Sequence, residues 1–203
     1  MGTANIDLTT VEAVQRYLGS ADISDDEKAN IQRCITSAGI YWLWKTGRKL
    51  VDGVSPFVQP VTNDEWYDGP GGQRMFVRDT PLVSISSLQI DGVAIAESTA
   101  WGVNGWIIDS SKKSITLRGP ARFTYRGQGS NVHLISQSGY TATPPDIVDK
   151  ATVMVAVNYK RRQWIDQASQ SMAMGAGTVT FREWELPPDV CAVMDNYSRT
   201  AIV

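Results

Sequence analysis

Apolar residues recur at helical spacing over the first fifty positions. Val11, Val14 and Leu18 share one face. Thr9 and Glu12 ahead of them have capping-box spacing, and Gly19 stands where a helix would stop. Ser24 and Glu27 repeat the box, and Ile31, Ile35, Ala38 and Trp42 form a second stripe that closes at Thr46-Gly47. Cys34, Tyr41 and Lys45 widen this stripe toward a second contact surface. From Val51 the texture changes to short runs punctuated by Gly, Pro, Ser and Asn: 74–77, 82–90, 106–108, 114–117 and 131–136. Val83-Ser84-Ile85-Ser86 and Ser114-Ile115-Thr116-Leu117 alternate with the period of half-buried strands, and Asp91-Gly92 signals a tight turn. No crossover helices intervene, so antiparallel pairing is expected.

Helix returns at Pro144-Pro145-Asp146, where proline suits the first turn and the carboxylate suits the positive end of the helix dipole. Ile147, Ala151, Met154, Val155 and Asn158 line one side of this helix, Val153 and Val157 a second, and Lys160-Arg161-Arg162 suit its end. Residues 166–178 are Gln, Ser, Gly, Ala and Met without a period. Val179-Thr180-Phe181 alternates briefly, and Pro187-Pro188-Asp189 starts a last short helix. The expected fold is α+β. Two N-terminal helices, a long two-sided helix and a short C-terminal helix form a body (1–50 and 140–203), into which an antiparallel β-domain (51–139) is inserted.

With 203 residues, 42% of them hydrophobic and 20% charged, the chain can bury a core without staples. Cys34 and Cys191 are too few for a disulfide framework and read as free, buried thiols. The N-terminal segment has neither the basic region nor the apolar stretch of a secretory signal, Ile6 breaks a myristoylation motif, and the run 151–157 is far too short to span a membrane. A net charge of −2 argues against a surface devoted to gripping phosphates.

Signals of catalysis are sparse. The single histidine, His133, sits in a strand-like run, and no Cys/His cluster accompanies it. Gly69-Pro70-Gly71-Gly72 is followed by Gln73-Arg74 and a strand, where a phosphate loop needs Lys-Ser/Thr and a helix, so it reads as a turn. Asp25-Asp26-Glu27 suits a helix's first turn, and Asp64 and Glu65 would point to opposite faces of a strand. No cofactor or metal is expected. The basic groups Lys45/Arg48/Lys49, Arg118/Arg122/Arg126 and Lys160/Arg161/Arg162 are small. The second has Phe123 and Tyr125 interleaved, which leaves a single-strand nucleic-acid binder as an alternative to solvated edge strands. Trp164, Met172, Met174 and Trp184 flank the aperiodic segment, a placement that fits either a protein contact surface or residues folded back on their own domain.

An ordered series of motifs resembles the head–tail connector (adaptor) proteins of tailed bacteriophages, in their longer, insertion-bearing type. The series begins with 8–19 and Tyr41-Trp42-Leu43-Trp44-Lys45-Thr46-Gly47-Arg48. It continues through Trp66-Tyr67-Asp68-Gly69, Thr80-Pro81-Leu82-Val83 and Ile90-Asp91-Gly92. It ends with Gly139-Tyr140, Pro144-Pro145-Asp146-Ile147, Tyr159-Lys160-Arg161-Arg162, 178–181, Leu186-Pro187-Pro188-Asp189-Val190 and Tyr197-Ser198-Arg199. Residues 94–106 hold no landmark of the family. The resemblance implies a non-enzymatic virion protein at the head–tail neck. Its subunits would form a ring, usually of twelve, beneath the portal protein, and the ring would extend the DNA channel without sequence-specific DNA binding. Stopper or tail-completion proteins would dock on it. Residues 166–185 and the C-terminal tail are then expected to be a docking arm, with Trp164, Met172, Met174, Phe181, Trp184, Tyr197 and Arg199 as its candidate contacts. Another neck component is the nearest alternative, and a carbohydrate-binding module a more distant one.

Overall fold

The computed structural model of the chain describes residues 5–20, 23–127, 129–162, 169–171, 178–180 and 186–199. Helix α1 spans Val11–Leu18 and α2 Asp25–Thr46. Seven strands follow: β1 Val61–Tyr67, β2 Arg74–Phe76, β3 Leu82–Ile90, β4 Val93–Ala94, β5 Gly105–Ile108, β6 Ser114–Arg118 and β7 Val132–Ser138. Then come α3 Pro145–Arg161, the short strands β8 Ser169–Ser171 and β9 Thr178–Thr180, and α4 Pro188–Asn196. The architecture is α+β, as the residue pattern predicts. The chain divides into two compact units. One comprises Met1–Ile6, Leu43–Pro144 and Ser198–Val203, the other Asp7–Trp42 and Pro145–Tyr197.

In the helical unit, the α1 cap falls one residue later than expected. Thr10 accepts the Ala13 N–H at 3.2 Å. Thr9 is buried and meets the Thr152 hydroxyl at 2.6 Å. Since Thr152 donates to the Val148 carbonyl, Thr9 is the donor in that pair. Spacing alone cannot separate adjacent threonines; burial does. Ser24 and Glu27 form the predicted reciprocal box at 3.2 and 3.3 Å. The α2 stripe Ile31, Ile35, Ala38 and Trp42 is fully buried. Helix α3 packs against α1 and α4. It buries Ile147, Ala151, Met154, Val155 and Ala156, whereas Val153 and Val157 are only half-buried. Cys34 and Cys191 are free but half-buried rather than buried. Within the segment read as aperiodic, β8 pairs antiparallel with β9.

The other unit packs two antiparallel sheets, of order β1-β7-β3-β4 and β2-β6-β5. Their inward residues, among them Leu88, Ile115, Leu117, Phe123 and Leu134, form one core. In β7 the alternation is regular, with Val132, Leu134, Ser136 and Ser138 inward. In β3 it is not. Register shifts between Leu82 and Ser84 and between Ile85 and Ser87 send Leu82, Ile85, Leu88 and Ile90 inward. Val83, which simple alternation places with Ile85, is therefore exposed. Asp91 and Gly92, with φ of 53° and 78°, make the two-residue turn into β4.

The Gly-rich loop after β1 spends its N–H groups internally. Gly69 N–H donates to Asn131 Oδ1 at 3.0 Å and Gly71 N–H to the Phe123 carbonyl at 2.7 Å. A Cβ on Gly69 would lie 2.1 Å from the Thr124 carbonyl oxygen, whereas one on Gly72 would meet nothing nearer than 3.9 Å. Gly69→Ala should therefore lower stability by about 1–3 kcal/mol. Gly72→Ala should change it by less than about 1 kcal/mol. Urea denaturation of the two variants beside the wild type separates these outcomes.

Candidate contact site

Five of the seven expected contact residues, Trp164, Met172, Met174, Phe181 and Trp184, lie outside the described residues. The other two have partners within their own unit. Tyr197, just past α4, donates its hydroxyl to the Asp146 carboxylate at the start of α3, 2.8 and 2.9 Å from its two oxygens. Lys150 adds an ion pair to Asp189 at 2.8 Å, so α3 and α4 are joined at two points. Arg199 belongs to the β unit, where its guanidinium bridges Glu65 on β1 and Asp79 before β3, the latter at 2.7 Å. The side chains of Arg199, Glu65 and Asp79 are only 18%, 17% and 16% exposed.

This network draws in more of the unit. Tyr67 donates to Glu65 at 2.5 Å, and burial together with that carboxylate pushes its phenol well above the usual range. Burial also holds the Asp79 carboxyl above its ordinary value, outweighing the pull of Arg199. Arg48, grouped in the sequence with Lys45 and Lys49, is buried. Its guanidinium carbon lies 5.1 Å from the Phe57 ring centroid and 5.9 Å from that of Tyr140. Asp64 and Glu65 do face opposite ways: Asp64 is exposed and pairs with His133 at 2.6 Å. His133 also stacks on Trp66, centroid to centroid 4.3 Å, so the lone histidine is a cross-strand partner.

Two further surfaces stand out. In the helical unit a groove of about 610 Å³ is lined by Glu27, Asn30, Arg33, Cys34, Tyr159 and Arg162, among others. Glu27 is held below the usual carboxylate range by the Ser24 N–H and by the Tyr159 hydroxyl, which donates to it at 3.1 Å. Burial raises the Cys34 thiol, which makes it a poor nucleophile. In the β unit, Trp101 is 92% exposed, at the tip of a loop before β5. Residues 94–106 carried no family motif, and a lone tryptophan in a polar stretch has no periodicity to flag it. Arg118 sits against the indole, 5.3 Å from the ring centroid, and donates to Ser98 Oγ and the Ala100 carbonyl at 3.3 and 3.2 Å. The expected basic trio is dispersed in role: Arg118 buttresses this loop, Arg126 pairs with Asp91 at 2.7 Å, and Arg122 is exposed. Among the described residues no group of three or more His, Cys, Asp or Glu could hold a metal ion, and no helix is long and apolar enough to cross a membrane.

The described side chains named above thus hold segments together within each unit. The sequence matches the head completion protein family over residues 7–200, and the chain belongs to that family. It is thereby a structural protein of virion assembly, in keeping with the ordered motifs. No curated protein matches it. Its fold is similar to that of a chain in the virion of the native gene transfer agent particle (TM-score 0.53, 14% identity, covering 95% of this chain and 90% of that one). It is also similar to a chain in the neck of the empty gene transfer agent particle, computed with C6 symmetry (TM-score 0.51, 16% identity, 95% and 90% coverage).

Removing the guanidinium by Arg199→Gln leaves two largely buried carboxylates facing each other. The expected loss is about 3 kcal/mol near neutral pH. The sign of its pH dependence follows from Asp79, whose native value is raised already and rises further without Arg199. A carboxyl that binds protons more tightly in the native state destabilises it as pH rises through that native value. The deficit of the variant against the wild type should therefore be larger at pH 8 than at pH 5, measured by denaturant midpoints at both.

Proposed function

We propose that this head completion protein is a component of the head–tail neck. In this reading it assembles into a closed homo-oligomeric ring beneath the portal and extends the DNA channel, and a stopper or tail-completion protein docks on it. The observation that carries the reading is the family match over nearly the whole chain. The C6 symmetry of the neck that contains one structural neighbour supports a ring whose copy number is a multiple of six, twelve included. A head-to-tail contact closes into a ring when its rotation is a whole fraction of a turn. The net charge of −2 suits a subunit past which DNA slides, because phosphate contacts dominate DNA affinity and a strongly basic lining would grip it.

The role is structural, not enzymatic. The groups best placed for acid–base chemistry, Glu65, Asp79 and His133, are engaged with Arg199 and Asp64. Residues 166–185 act as the docking arm on the portal, with Trp164, Met172, Met174, Phe181 and Trp184 as anchors. The support for this is their composition and the position of the arm directly after α3. Tyr197 and Arg199, by contrast, are assigned to holding their own units together.

Electron microscopy of the protein mixed with its portal ring should show one added layer of density. A portal that stays bare at saturating protein would refute the assignment. Deleting residues 167–177 should leave circular dichroism and thermal unfolding of the units intact while abolishing the added layer. Normal assembly by the deletion variant would remove the arm from the docking role.

A further inference from the structure

The two units carry opposite charge. The β unit holds eleven Lys and Arg against eight Asp and Glu, a formal +3. The helical unit holds eight against thirteen, a formal −5. Contacts between like units of two copies are thus disfavoured, and contacts between unlike units favoured.

The β unit also carries the most exposed large apolar side chain among the described residues, Trp101, on a loop built to hold it there. Ser98 Oγ donates to the Val103 carbonyl at 2.7 Å, the Ser98 N–H donates to the Trp106 carbonyl at 2.9 Å, and the Trp106 N–H donates to the Ala96 carbonyl at 2.9 Å. Gly105 has a φ of 151°, and a Cβ there would lie 2.4 Å from the Ala96 carbonyl oxygen, so the close approach of the two arms of the loop requires glycine. Beside the indole lies a cleft of about 480 Å³ lined by Val103, Ile107, Leu117, Gln73, Asn104 and Arg118. A rigid tryptophan flanked by an arginine and an apolar cleft is the composition of an interface hot spot. Little ordering entropy remains to be lost on docking.

We propose that the Trp101–Arg118 edge of one copy docks on the acidic helical unit of a second copy, around the first turn of α2. There Asp25, 97% exposed though paired with Lys28 at 3.0 Å, and Asp26 present carboxylates to solvent. This rests on the homo-oligomeric reading above and names the surfaces of its subunit contact. Because the two patches differ, the contact is heterologous, and repeated from copy to copy it builds a chain of subunits that closes into a ring when the rotation is a whole fraction of a turn.

The test is sedimentation velocity of the full chain at low ionic strength, with thermal unfolding to verify that each variant is folded. Wild type should associate, and 0.5 M salt should weaken the association. Trp101→Ala, at a side chain that is 92% exposed, should weaken it at least tenfold. Arg118→Glu and the pair Asp25→Lys with Asp26→Lys should each do the same. An equimolar mixture of the two charge-reversed proteins should recover association, since each then meets its complement only in the other. If the variants associate like wild type, this contact is overturned while the ring reading stands. If each loses association but the mixture does not recover it, the pairing of these two patches is overturned. A wild type that remains monomeric throughout overturns the contact and the self-assembly on which it rests.

Discussion

Arg199 donates to Glu65 and Asp79 where none of the three side chains is even one-fifth exposed, and the organisation of the β unit depends on that guanidinium. Two carboxylates on β1 and ahead of β3 would otherwise face each other with little water between them, a cost of several kcal/mol. The residue that neutralises them comes from the last segment of the unit, more than a hundred positions away in sequence. Its backbone takes part as well: Arg199 N–H donates to the Thr46 carbonyl at 2.7 Å, one of the acceptors the end of α2 leaves over. Gly47, with φ of 68°, turns the chain there, and a Cβ on it would lie 3.7 Å from the Arg199 Cβ. One residue, through its backbone and its side chain, thus joins the end of a helix, an edge strand and an interstrand loop. Glu65 also gives β1 an inward-pointing charge, a feature that discourages an edge strand from pairing with another sheet.

The same balance operates on a larger scale. A net charge of −2 describes the chain poorly, since it is the difference between a basic β unit and a more strongly acidic helical one. Near-neutrality weakens any overall attraction to DNA, while the separation of charge favours contact between unlike units of neighbouring copies. Composition alone reports only the first of these. For a protein read as a subunit of a ring around a DNA conduit, both properties are useful.

Much of the fold was legible because it rests on local rules. The Ser24–Glu27 box, the α2 stripe, the Asp91-Gly92 turn and the proline-led start of α3 each depend on residues within a few positions of one another. The errors came where the deciding contact is distant. Thr9 is taken by Thr152 and leaves the α1 cap to Thr10. Bulges in β3 answer to its register with β7 and expel Val83. Arg48 sits over Phe57 and Tyr140, which no count of neighbouring lysines reveals. Arg199 and Tyr197, expected as contacts to a partner protein, have partners within their own units.

The contact surfaces were the least legible, for a physical reason. A buried stripe repeats with the period of its element, because several residues must satisfy one core. A docking residue needs only to be held out of the core, and what holds it is not a pattern around it. Trp101 is exposed because Ser98, Gly105 and Arg118 fix its loop, and these contribute a hydroxyl, a missing Cβ and a guanidinium at irregular spacing. Each reads in isolation as an ordinary loop or strand residue. Only their convergence shows that the indole is displayed rather than merely unburied. By the same reasoning, composition singled out the arm's Trp and Met residues because they cluster in sequence, and it passed over a single tryptophan whose supports are brought together by the fold.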